Sequence, residues 1–102
     1  MKLKDYEAAA ADFSEAIRIK PDGYHLPWIG RAEARLLKGD VIGAVADAGR
    51  AVDIEKGEGR RRCLVMRGRA RAAAGDRAGA LDDLKAAGPI GAPWLKDLEK
   101  SP

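Results

Sequence analysis

The dipeptide Gly39-Asp40 returns as Gly75-Asp76 after 36 residues, and the residues around it return with it. At that offset Arg31 matches Arg67, Ala34 matches Ala70, Arg35 matches Arg71, Gly43 matches Gly79, Ala44 matches Ala80, Asp47 matches Asp83 and Ala51 matches Ala87. An incomplete copy stands ahead of both at an offset of 35, where Asp5, Ala9, Asp12, Ala16 and Ile19 anticipate Asp40, Ala44, Asp47, Ala51 and Ile54. A period of this length means supersecondary units that stack, each burying its apolar face only against its neighbours.

The units read as helices. From Asp5 to Lys20, Tyr6, Ala9, Ala10, Phe13, Ala16, Ile17 and Ile19 fall at three- and four-residue steps until Pro21-Asp22-Gly23 stops the pattern. A second helix opens at Leu26-Pro27, where proline suits a first helical turn, and runs through Trp28, Ile29, Ala32, Leu36 and Leu37 to Gly39. Asp40 caps a third, striped by Val41, Ala44, Val45, Ala48, Val52 and Ile54 and closed before Gly57-Glu58-Gly59. The same hairpin recurs over 60–74 and 76–87. Gly88-Pro89-Ile90-Gly91 breaks it, and a short helix is expected over 93–99 with Trp94, Leu95 and Leu98 on one side.

Composition narrows the class. With 102 residues, 34% charged and 46% hydrophobic, the chain suits one small helical domain and not a disordered tail. The net charge of +3 is mild and the acids are spread throughout, so charge alone does not argue for nucleic acid. A single cysteine, Cys63, excludes an internal disulfide framework and a cysteine-rich zinc site and fits a reducing compartment, so a cytoplasmic location is the default expectation. No apolar run approaches the length of a membrane span, and Met1-Lys2-Leu3-Lys4 shows no signal peptide.

These residues resemble the tetratricopeptide repeat, a helix-turn-helix unit of about 34 residues. Asp5-Tyr6-Glu7-Ala8-Ala9, Asp12 to Ile17 and Ile19-Lys20-Pro21 look like the second helix and closing proline of such a repeat. Trp28, Ala32, Gly39, Ala44, Ala48 and Ala51 sit at the family's large aromatic, small crossing residue, turn glycine and inter-helix alanines, and Leu64, Gly68, Gly75, Ala80, Leu84 and Ala87 hold those places in the next copy. Three departures stand out. Lys56 replaces the closing proline, Ala48 is small where the first copy has Phe13, and Arg35 and Arg71 take a place usual for tyrosine, so a thin core is expected. The resemblance implies an all-α, right-handed stack of antiparallel helical hairpins: a half repeat over 1–22, full repeats over 23–58 and 59–91, and a capping helix over 92–102. The first helix then lacks a partner in front of it, which leaves Phe13 and Ile17 partly exposed and opens a route to self-association or marks a fragment of a longer array.

In similar repeats an arginine and an aspartate at these places bridge helices, so Arg31 and Arg67 are expected to act as packing struts with Asp12, Asp47 and Asp83. The first helices of the family line a concave groove for peptides. Carried over by position, Leu26, Ile29, Glu33, Leu36 and Leu37 line it from one repeat and Arg62, Val65, Arg69, Ala72 and Ala73 from the next. The family's carboxylate clamp for chaperone tails cannot be assigned, since the chain has no asparagine.

No catalytic constellation is visible, and neither a cofactor nor a metal is implied. His25 is the only histidine and has no obvious local partner; Asp82 and Asp83 point about 100° apart on a helix; Gly57-Glu58-Gly59 reads as a linker and not a phosphate loop. Cys63 reads as a small apolar helix residue despite the arginine beside it. Six arginines, Arg60, Arg61, Arg62, Arg67, Arg69 and Arg71, run without an acid between Glu58 and Asp76, with Arg62 and Arg69 on one side and Arg60, Arg67 and Arg71 on another. No aromatic interleaves them, which counts against single-stranded nucleic acid. The expectation is a non-enzymatic protein–protein interaction module; a polyanion-binding surface on the arginine run and a structural spacer of a larger protein are the alternatives.

Overall fold

The computed structural model describes residues 3–100; Met1 and Lys2, on which part of the signal-peptide reading rests, lie outside them, as do Ser101 and Pro102 at the end of the expected cap. Among the described residues there are six α-helices, one 3-10 turn and no strand: α1 (Leu3–Ile19), α2 (Leu26–Lys38), α3 (Val41–Ile54), α4 (Arg60–Ala73), α5 (Arg77–Ala86), the 3-10 turn Gly88–Gly91 and α6 (Ala92–Lys100). From α1 to α5 each helix packs on the next in chain order, and α6 packs on α5, as a helical repeat requires. The molecule is 39 × 32 × 19 Å, and its thinnest dimension matches two layers of helices about 10 Å across. The layers differ. Among the described residues the backbones of α2 and α4 come close to each other, whereas that of α3 comes close to neither α1 nor α5.

The repeated Gly-Asp step builds the same turn twice. Gly39 and Gly75 take left-handed backbone at φ of +98° and +91°, which glycine adopts without the clash a Cβ brings. Asp40 and Asp76 follow as N-caps, each accepting the amide of the residue three further on, Gly43 or Gly79, at 2.9 Å. The backbone amides of Asp40 and Asp76 each donate to the carbonyl of the arginine five residues back, Arg35 or Arg71, at 2.8 Å. One sequence step thus ends one helix, starts the next and fixes the hairpin angle.

Alanine and glycine permit close helix approach, and Ala32, Ala44, Ala48, Ala51, Ala70, Ala80 and Ala87 are fully buried. The expected thin core at Ala48 is filled from the facing helix. Phe13 on α1 lays its ring over Gly30 on α2, where a Cβ would overlap the ring. One repeat on, Ala48 stands in place of Phe13 and Met66 in place of Gly30, and these two share a buried cluster with Ala32. Large against nothing becomes small against large, and the volume is conserved. The bare first helix is accordingly less bare than its sequence suggests: α2 buries Ile17 to 8% exposure, and Phe13 is half-buried. What α1 leaves open lies lower, at Ile19 and at Tyr24 in the following loop.

Candidate functional site

Each hairpin encloses an aspartate held by two arginines. Arg31 on α2 donates through Nε and Nη2 to the two oxygens of Asp47 on α3, both at 2.8 Å, and Arg35 one turn on adds a third bond at 2.9 Å. In the second hairpin Arg67 donates to Asp83 twice at 2.9 Å and Arg71 once at 3.0 Å. Asp47 and Asp83 are buried at 2% and 3% exposure. A buried carboxylate is costly to desolvate unless its oxygens are hydrogen-bonded, and three charge-assisted bonds offset that cost. Asp83 in turn holds the Arg67 guanidinium above its ordinary pKa, chiefly through the hydrogen bonds.

Arg35 and Arg71, matched across the repeat and departing from the family's usual tyrosine, were not among the expected struts. They are the second donors of the two clusters. Each also lies 3.8 Å from its helix-capping aspartate, Asp40 or Asp76, so the clusters reach the turns. Asp12 is exposed on α1 and belongs to neither cluster. Its neighbour Ser14 is the residue that meets Arg31, accepting from Nη1 at 3.0 Å while donating to the Ala10 carbonyl.

Nine of the ten expected groove residues line two adjoining cavities on the α2–α4 face. The first, about 530 Å³, is walled by Leu26, Ile29, Gly30 and Glu33 of α2, Arg62, Val65, Met66 and Arg69 of α4, and Ile90 of the 3-10 turn. The second, about 460 Å³, is walled by Leu36, Arg69, Ala72, Ala73 and Leu84 together with Trp94, Asp97 and Leu98 of α6. Leu37 lines neither and faces outward at 50% exposure. Arg69 borders both cavities. Its guanidinium lies 3.5 Å from Glu33 and 4.3 Å from the ring centre of Trp94, so the chain itself engages it. Arg62 is exposed at the rim of the first cavity, with no acid paired to it among the described residues.

The arginine run does not form one surface. Arg67, expected as a strut, and Arg71, placed on the same side, both turn to Asp83; Arg60 donates to the Val52 carbonyl at 2.7 Å; Arg69 turns to Glu33 and Trp94. Only Arg61 and Arg62 of the six are exposed. His25, without a partner in its own stretch of sequence, finds one at a distance: Nδ1 is 3.3 Å from Oε2 of Glu55, whose other oxygen accepts the Gly57 amide at 2.7 Å. This pins the α1–α2 loop to the α3–α4 turn. Cys63 is fully buried, and burial first, then the charge of Glu55, pushes its thiol pKa up despite Arg60 and Arg62. No group of three or more metal-ligating side chains stands together among the described residues, and no described helix is long and apolar enough to cross a membrane.

Two known proteins align with nearly all of this chain. Tetratricopeptide repeat protein 36 of Homo sapiens and its namesake in Mus musculus are each 35% identical to it over 94 residues, 90% of the chain. They point to a tetratricopeptide-type family. The chain spans about half the length of these relatives, 49% and 50%. No family model matches the chain, and no solved structure matches it significantly. Tetratricopeptide-type ancestry accords with the 36-residue recurrence and with helices packed in chain order.

Proposed function

We propose that the chain is a non-enzymatic protein–protein interaction module whose concave face takes a peptide segment of a partner. The carrying observation is the first cavity: about 530 Å³ of open, largely apolar space between α2 and α4, with an exposed, unpaired guanidinium at its rim. Ile29, Val65 and Met66 offer area from which affinity comes, and Arg62 offers a single positive charge that sets orientation and selects an acidic group on the partner. The two arginine clusters hold α2 to α3 and α4 to α5 and so keep the cavity walls in register, which is a positioning role.

Binders selected from a peptide library on the native chain test this reading by calorimetry. Arg62→Glu and Val65→Asp should each weaken a selected peptide about tenfold or more, as loss of a central contact of about 1.4 kcal/mol requires. Arg61→Glu, one residue along and outside the cavity, should leave it unchanged. Loss on Arg61→Glu together with a steep salt dependence would instead favour a polyanion surface.

A further inference from the structure

The second cavity contains part of its own answer. α6 presents Trp94, Asp97 and Leu98, spaced as one face of a helix, to a wall made by Leu84 of α5 and by α2 and α4, the two helices that also wall the first cavity. Yet no residue of α6 is buried, and a cavity of about 460 Å³ remains beneath it. A cap that completed the core would bury its apolar face; this one rests on it. It packs on α5 and the 3-10 turn with Leu95 and Leu98 only half-buried, and its polar attachments include the Trp94 ring against Arg69 and the Leu98 carbonyl accepting from Arg77 at 2.9 Å.

The tether has a defined pivot. Gly88 takes left-handed backbone at φ +74°, Pro89 follows it, and Gly91 packs so closely on the Leu84 carbonyl that no side chain fits there. The joint is therefore fixed on α5 while the helix beyond it is only laid down. The geometry points to α6 as an intramolecular occupant of the C-terminal half of the concave face, displaced when a partner docks. It also names the partner's chemistry: an amphipathic helix with an aromatic residue to replace Trp94 on Arg69 and a leucine four residues later to replace Leu98. This rests on the reading of the α2–α4 face as a binding surface. A short tether supplies a millimolar effective concentration, enough to hold a weak contact closed against an equally weak competitor.

The chain's own residues 91–100, made as a separate peptide, are the probe. Titrated into the ¹⁵N-labelled full chain, they should perturb the amides of Arg69, Ala72 and Ala73 at about tenfold lower concentration when α6 carries Trp94→Ala and Leu98→Ala than when it is native. Adding Arg69→Ala to that variant should suppress the response, as should a probe with alanine at its tryptophan. Equal responses of native and variant chains, or none in either, would overturn the proposal. Hydrogen exchange on the native chain decides it independently, since α6 amides should exchange well before those of α5, and equal or greater protection of α6 would overturn it too. These readouts lie in the second cavity, whereas the peptide-binding reading is tested at Arg62 and Val65, so either can fail alone.

Discussion

Arg35 Nη1 lies 2.9 Å from Asp47 Oδ2 across the first hairpin, and the arginine and aspartate 36 residues further on repeat the bond at 3.0 Å. The second arginine adds a third charge-assisted bond to a carboxylate that the first holds by two. Asp47→Ala should cost about 3 kcal/mol in urea unfolding, because it strands two guanidinium groups around a buried position. Arg35→Ala, which removes a donor that is itself partly exposed, should cost about 1 kcal/mol. Equal costs for the two would show that the cluster does not centre on the aspartate.

The exchange of size between Phe13 with Gly30 and Ala48 with Met66 makes a sharper demand. Ala48→Phe alone should destabilise by about 2 kcal/mol through overpacking against Met66. Combined with Met66→Gly it should cost less than the two single changes summed, with a coupling of at least about 1 kcal/mol in a double-mutant cycle. Additive costs would mean that the two positions do not share their volume.

Cys63 provides the pH dependence. Burial raises its thiol pKa in the fold, so the unfolded chain ionises first and the stability from the buried neutral thiol is present below the unfolded pKa and lost as pH rises through the folded one. The native chain should therefore lose more melting temperature above about pH 8.5 than Cys63→Ala does. At pH 8 the native thiol should react with iodoacetamide at least about tenfold more slowly than in urea. Rapid alkylation of the folded chain would place the thiol at the surface.

Helix boundaries, hairpins and turns were legible in the sequence because they depend on local periodicity and on glycine and aspartate at fixed steps. The pairing of Arg31 with Asp47 came within reach of the same repetition. Three features did not. The roles of Arg35 and Arg71 depend on which side chain lies across the hairpin, the size exchange pairs Phe13 with Gly30 and Ala48 with Met66 on separate helices, and the His25 contact with Glu55 joins two loops distant in sequence. The self-engagement of Arg69 was hidden for the same reason, since Trp94 reaches it from a helix that sequence places at the far end of the stack.

Mapping a library-selected peptide onto the ¹⁵N-labelled chain tests the central claim most directly. Saturating peptide should shift the amides of Ile29, Glu33, Arg62 and Val65 on α2 and α4 and leave α1, α3 and α5 largely unmoved. Shifts concentrated on α1, α3 and α5, with α2 and α4 silent, would contradict it.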